Sequence, residues 1–189
     1  MPKILPKKSC LLGLEMLTLS LDHNNEALAT LISCLLNSCP NLKNLKIIVS
    51  PKQLMFIQFF FLPAAAPKML LCCVIRKGAA HDDRWESPAP LAAEFWEEQI
   101  NGDRVLNHLS SITIYVDSLF ENYPCLGLCQ FLVMNARILK RMSIHYYRWQ
   151  LKMGQVVLVE AVRNEVQLWP RANPNVLLEL SPVDRHPNY

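Results

Sequence analysis

Leu14-Glu15-Met16-Leu17-Thr18-Leu19-Ser20-Leu21-Asp22 alternates apolar and polar residues, the period of a half-buried β-strand. Asp22-His23-Asn24-Asn25 breaks the alternation and offers helix N-caps. From Glu26 onward, Ala27, Leu28, Leu31, Ile32, Leu35 and Leu36 fall at helical spacing on one face. Cys39-Pro40-Asn41 ends that helix, because proline cannot continue it and disfavours helix in the residue before. Leu42 to Val49 then enters a second strand. A strand, a crossover helix and a second strand make a parallel pair with the helix packed on one side.

The chain then repeats itself. Leu14 to Asp22 returns as Leu109-Ser110-Ser111-Ile112-Thr113-Ile114-Tyr115-Val116-Asp117. Leu35 to Ile47 returns, at a nearly equal offset, as Leu132-Val133-Met134-Asn135-Ala136-Arg137-Ile138-Leu139-Lys140-Arg141-Met142-Ser143-Ile144. In this second copy Ser118 to Pro124 connects, and Cys125, Leu128, Cys129, Phe131, Leu132 and Met134 supply the helix face. A repeated strand-and-helix unit buries its apolar face by stacking on its neighbour. The expected fold is therefore α/β, a short right-handed solenoid. Its parallel strands lie near 14–21, 43–49, 109–116 and 140–147, with helices on one face. A helix over 155–168, stopped by Pro170, and a strand over 176–180 act as a C-terminal cap.

Composition narrows the chemistry. The chain has 189 residues, 51% of them hydrophobic, enough for a substantial core, and a formal charge of only +3. Its basic residues are scattered, whereas a nucleic-acid binder gathers them on one face with aromatics between them. The densest run, Arg137 to Arg148, reads as the solvated end of a helix and the polar face of a strand, so no nucleic-acid partner is expected. The 7 cysteines form no C-x-x-C pair and have no histidine at metal-ligand spacing. They read as reduced core residues of an intracellular protein of cytoplasm or nucleus, with no metal. Cys125 and Cys129, four apart on a helix, lack further ligands. Met1 to Lys8 holds two prolines and three lysines and does not read as a signal peptide.

Nor does a catalytic constellation emerge. No G-x-G-x-x-G, phosphate loop or G-x-S-x-G elbow is present. His23, His81 and His186 fall in connections or the tail, His108 precedes a strand, and His145 alternates outward on one. Glu94, Glu97 and Glu98 surround Phe95 and Trp96, and read as an exposed stretch whose aromatics anchor it in the core. The expectation is a non-enzyme with neither catalytic residues nor cofactor.

Between the copies the pattern is lost. Leu54 to Leu62 is apolar without a period, Pro63 to Lys68 interrupts, Met69 to Ile75 is apolar again, and His81 to Pro90 reads as a linker. Taken together, 54–75 approaches transmembrane length. Two prolines and Lys68 in its middle oppose a span, so a membrane tether is the alternative and not the first reading.

The spacing Leu14-x-x-Leu17-x-Leu19-x-Leu21 resembles the strand of a leucine-rich repeat. Leu106 to Ile114, then Phe131 to Ile144 with its run Asn135-Ala136-Arg137-Ile138-Leu139-Lys140-Arg141-Met142, resembles the FBD domain of plant F-box/leucine-rich-repeat proteins. Trp169-Pro170-Arg171-Ala172-Asn173-Pro174-Asn175-Val176 is similar to that domain's closing turn. The resemblance implies a leucine-rich-repeat unit over 1–50, an atypical hydrophobic insert and linker over 51–94, and an FBD domain over 95–189. It implies protein-protein interaction within a ubiquitin ligase, as the arm that recognises a target protein, still unknown. The chain departs from the pattern at two points. No F-box precedes the repeat, which puts docking of a Skp-type adaptor in doubt and suggests a partial protein, or a nonfunctional truncated product. Residues 51 to about 80 read as an insertion of the kind translated intron leaves, which transcript reads joining the codons near Ser50 to those near His81 would show.

Such repeats bind on the open face of their sheet. The outward strand residues Thr18, Ser20, Thr113 and Tyr115 are therefore the candidate protein-binding positions.

Overall fold

A computed structural model of the chain describes residues 11–21, 26–49, 54–61, 71–76, 93–100, 106–116, 126–148 and 156–184. Its elements, in chain order, are β1 (Leu14–Leu21), α1 (Glu26–Asn37), β2 (Asn44–Val49), β3 (Leu54–Phe61), β4 (Leu71–Arg76), α2 (Ala93–Gln99), a 3₁₀ turn (Leu106–His108), β5 (Ser111–Val116), α3 (Leu126–Asn135), β6 (Arg141–Tyr147), α4 (Val156–Leu168) and β7 (Leu177–Val183).

Five times a tight turn closes just before a strand begins. Leu14 N–H donates to Leu11 C=O at 3.1 Å, Leu42 to Cys39 at 3.2 Å, Leu109 to Leu106 at 3.3 Å, Leu139 to Ala136 at 3.2 Å and Val176 to Asn173 at 3.2 Å. In the first four turns both end residues are buried, so each turn plugs the core while reversing the chain. The turn then hands the strand to its neighbour at one repeated step. Lys43 N–H donates to Glu15 C=O, Ser110 to Lys43, Lys140 to Ser110 and Leu177 to Lys140, each at 2.9 Å. Asn173 Nδ2 adds a side-chain link back to Leu139 C=O at 2.8 Å.

The sheet that results has the order β4-β3-β1-β2-β5-β6-β7. From β1 to β7 the pairs are parallel, and Leu17, Leu45, Ile112, Met142 and Leu178 stand in one row. The two sequence copies thus align at the level of individual residues. Strands expected at 14–21, 43–49, 109–116 and 140–147 form within two residues of those limits, and the last strand runs to Val183, beyond its expected end at 180.

One expectation needs correction: the sheet is mixed, not wholly parallel. β3 pairs antiparallel with β1, and β4 antiparallel with β3. Physically, β1 has an outer row of backbone donors and acceptors that another strand satisfies. Residues 54–61 and 71–76, weighed above as part of a membrane span, are strands, and among the described residues no helix is long and apolar enough to cross a membrane. The predicted connections at 22–25, 81–90 and 118–124 lie outside the described residues.

The four described helices feed one core. Ile32, Leu35 and Leu36 of α1, Trp96 of α2, Leu128, Phe131 and Leu132 of α3, and Val159, Val162 and Val166 of α4 join the rows through Leu17 and Leu19. The helix of 155–168 expected from its valines is α4. It also dresses the sheet's edge. Gln167 Nε2 donates to Leu178 C=O at 3.0 Å and Arg163 to Leu180 C=O at 3.4 Å. Pro182 has the same parity and lacks an N–H. Carbonyls occupied by side chains and a proline are the means by which edge strands resist further pairing.

Candidate interaction surface

Because side chains alternate across a strand, the residues between the core positions share the opposite face of the sheet. Register sets them in rows. One row runs Thr18, Lys46, Thr113, Ser143, Glu179, and the next runs Ser20, Ile48, Tyr115, His145, Ser181. All four candidate positions therefore lie on this face by backbone register. The structure separates them by access. Thr113 and Tyr115 are half-buried, whereas Thr18, a short side chain beside the longer Lys46, is 8% exposed. The side chain of Ser20 lies outside the described part.

The tertiary structure adds six residues that sequence reading did not select: Lys46, Arg141, Ser143, His145, Glu179 and Ser181. Their alternation within each strand was visible, except for Ser181, which lies past the expected end of the last strand. Their adjacency was not, because it depends on which strands pair and in what register.

They form two groups. Arg141 grips Glu179 with two parallel hydrogen bonds, Nη2 to Oε1 at 3.0 Å and Nε to Oε2 at 3.1 Å, and Ser143 Oγ donates to Oε2 at 3.1 Å. Fork-on-carboxylate pairing holds both partners in fixed orientation. The Arg141 hydrogen bond, aided by that of Ser143, keeps the Glu179 carboxyl below its ordinary value. In the second group the rings of Tyr115 and His145 lie 4.9 Å apart, tilted by 33°, and Lys46 Nζ sits 5.1 Å from the Tyr115 centroid. His145 Nδ1 is 2.8 Å from Ser181 Oγ. A cation, two rings and a hydroxyl thus stack side by side across β2, β5, β6 and β7.

Burial lowers the His145 pKa from its ordinary 6.5; Glu179 opposes this and Arg141 assists. The native protein therefore takes up that proton less readily than the unfolded chain. Stability should decline as pH falls below 6.5, with the loss complete below the native His145 pKa. Glu179 adds a separate loss below about 4.5, as pH falls through its depressed native pKa. Urea denaturation at a series of pH values should show the upper slope shrink in His145→Gln, and an identical slope in both proteins would refute the assignment.

Trp96 is buried, Phe95 meets it edge to face at 5.4 Å and 89°, and Glu94, Glu97 and Glu98 are exposed. Cys129 is buried in the core. Burial pushes the Cys39 thiol up to about 12, so it holds its proton at neutral pH and is a poor nucleophile. Among the described residues no three His, Cys, Asp or Glu side chains gather as a metal site. Cys125 lies outside the described residues. Comparison with known proteins finds no family model, no curated protein and no solved structure that matches this chain.

Proposed function

We propose that this chain is a non-catalytic protein-interaction module that captures a partner protein on the polar face of its sheet. On this reading the five turn-and-strand units are a short leucine-rich-repeat-like solenoid, and 95–189 is an FBD-type unit whose last helix and strand cap it. The parent activity would be target recognition for an F-box ubiquitin ligase inside the cell, in cytoplasm or nucleus. The sequence run Asn135 to Met142 supports that kinship. The observation that carries the interaction reading is the in-register polar face, on which Lys46, Thr113, Tyr115 and His145 stand half-buried on three adjacent parallel strands. Prepositioned rings and polar groups bind with less ordering cost than free side chains.

The test is a paired affinity purification. Thr113→Glu with Tyr115→Glu should lose a defined set of proteins that the wild type retains, with the melting temperature shifted by no more than a few degrees. Unchanged capture discards the reading.

A further inference from the structure

The polar groups of the sheet face are not equally committed. Arg141, Ser143 and Glu179 satisfy one another, and His145 is joined to Ser181. Lys46 differs. Its ammonium rests on the Tyr115 ring, and among the described residues no carboxylate pairs with it. Thr113 is its direct neighbour across the β2–β5 pair, and Tyr115 lies two residues further on the same face. Among the described residues neither hydroxyl donates to a protein acceptor. Three donors, one of them charged, therefore stand on two neighbouring strands, and among the described residues nothing accepts from them.

Their complement is an anion with several acceptor lone pairs. A carboxylate has two oxygens and about four lone-pair sites, enough for one ammonium and two hydroxyls. The Tyr115 ring, held between Lys46 and His145, offers little face for stacking a planar base, which leaves its hydroxyl as the available group. With Arg141 paired to Glu179, Lys46 is the charged group left over in the two rows described above.

We propose that Lys46, Thr113 and Tyr115 form the contact point for a carboxylate side chain of an acidic partner segment. This rests on the interaction-module reading and supplies the chemistry of its partner. Losing a hydrogen bond to a charged group weakens binding roughly tenfold or more.

The full chain, labelled for amide NMR, is titrated with an acetylated hexaglutamate peptide, and with hexaglutamine as control. The expected result is saturable shifts at residues 46, 113 and 115 with hexaglutamate alone, weakened by added salt. Lys46→Met should reduce that affinity about tenfold, and Thr113→Val or Tyr115→Phe should reduce it less, while all three retain the wild-type spectrum elsewhere. Shifts centred on another surface, equal shifts with hexaglutamine, or indifference to Lys46→Met would overturn the proposal. If hexaglutamate fails but the double Thr113→Glu, Tyr115→Glu variant still loses its partners, the face binds by other chemistry and the module reading stands. If that variant also captures normally, both fall.

Discussion

Phe131→Ala is expected to lower the stability of the folded chain by about 3–5 kcal/mol. Phe131 sits on α3 with 1% of its surface exposed, among the largest side chains that the fold buries completely. It joins the same core as Trp96 of α2 and the strand residues Ile112 and Ile114. Truncation removes the transfer energy of a whole ring and leaves a cavity between helix and sheet that close-packed neighbours refill only in part. Helix propensity runs the other way, since alanine is the better helix former, but by only a few tenths of a kcal/mol. Urea unfolding should show the midpoint move down with the slope preserved. A loss under about 1 kcal/mol would mean that α3 is not seated on the sheet as described. Val157, 76% exposed on α4, is the matching control, and Val157→Ala should fall within about 0.5 kcal/mol of wild type.

Cutting the chain after Arg148 should abolish its cooperative thermal transition. The cut removes α4 and β7, and with them Val159, Val162, Val166, Trp169, Val176, Leu178 and Leu180, all members of the shared core. Burial of each such side chain contributes about 1.5–3 kcal/mol, which together is of the order of a small domain's whole net stability, about 5–15 kcal/mol. The new end would be β6, which pairs with β7 along its full length from Arg141 to Tyr147. Met142, Ile144 and Tyr146 would lose their cover beside an unpaired edge. The natural edge is protected differently, with Gln167 and Arg163 occupying the outward carbonyls of β7. Calorimetry distinguishes the outcomes. A broad or absent transition with aggregation is expected, and a sharp one at the wild-type temperature would show that the C-terminal helix and strand are dispensable to the fold.

Much of the architecture was legible in the residues alone. Leu14 to Leu21 and Ser111 to Val116 alternate strictly enough to mark strands, because one face must be apolar and the other wet. Pro40 and Pro170 mark helix ends because proline lacks the donor that a helix needs. The duplication showed which units correspond, and Leu17 with Ile112, and Leu45 with Met142, do share a row. The strands β3 and β4 were not legible. An apolar run without alternation is compatible with helix, strand or span, and only the free edge of β1 decides among them.

For the surface the division is sharper. Alternation placed Thr18, Ser20, Thr113 and Tyr115 on one face, since side-chain direction along a strand is a local property of the backbone. It could not show that Thr18 is shaded, or that Lys46, Arg141, His145, Glu179 and Ser181 stand beside them. Those facts depend on register between strands far apart in the chain, which the packed core and the five repeated turns impose together. By itself, then, the sequence determined the periodic units, their ends and their outward residues, all of them set by neighbours a few positions away. The tertiary structure alone decided the partner of each strand, the closing of the sheet's edges, and the stack of Lys46, Tyr115 and His145. Each of these needs backbone groups and side chains from distant segments to meet at hydrogen-bonding distance, a condition no local pattern encodes.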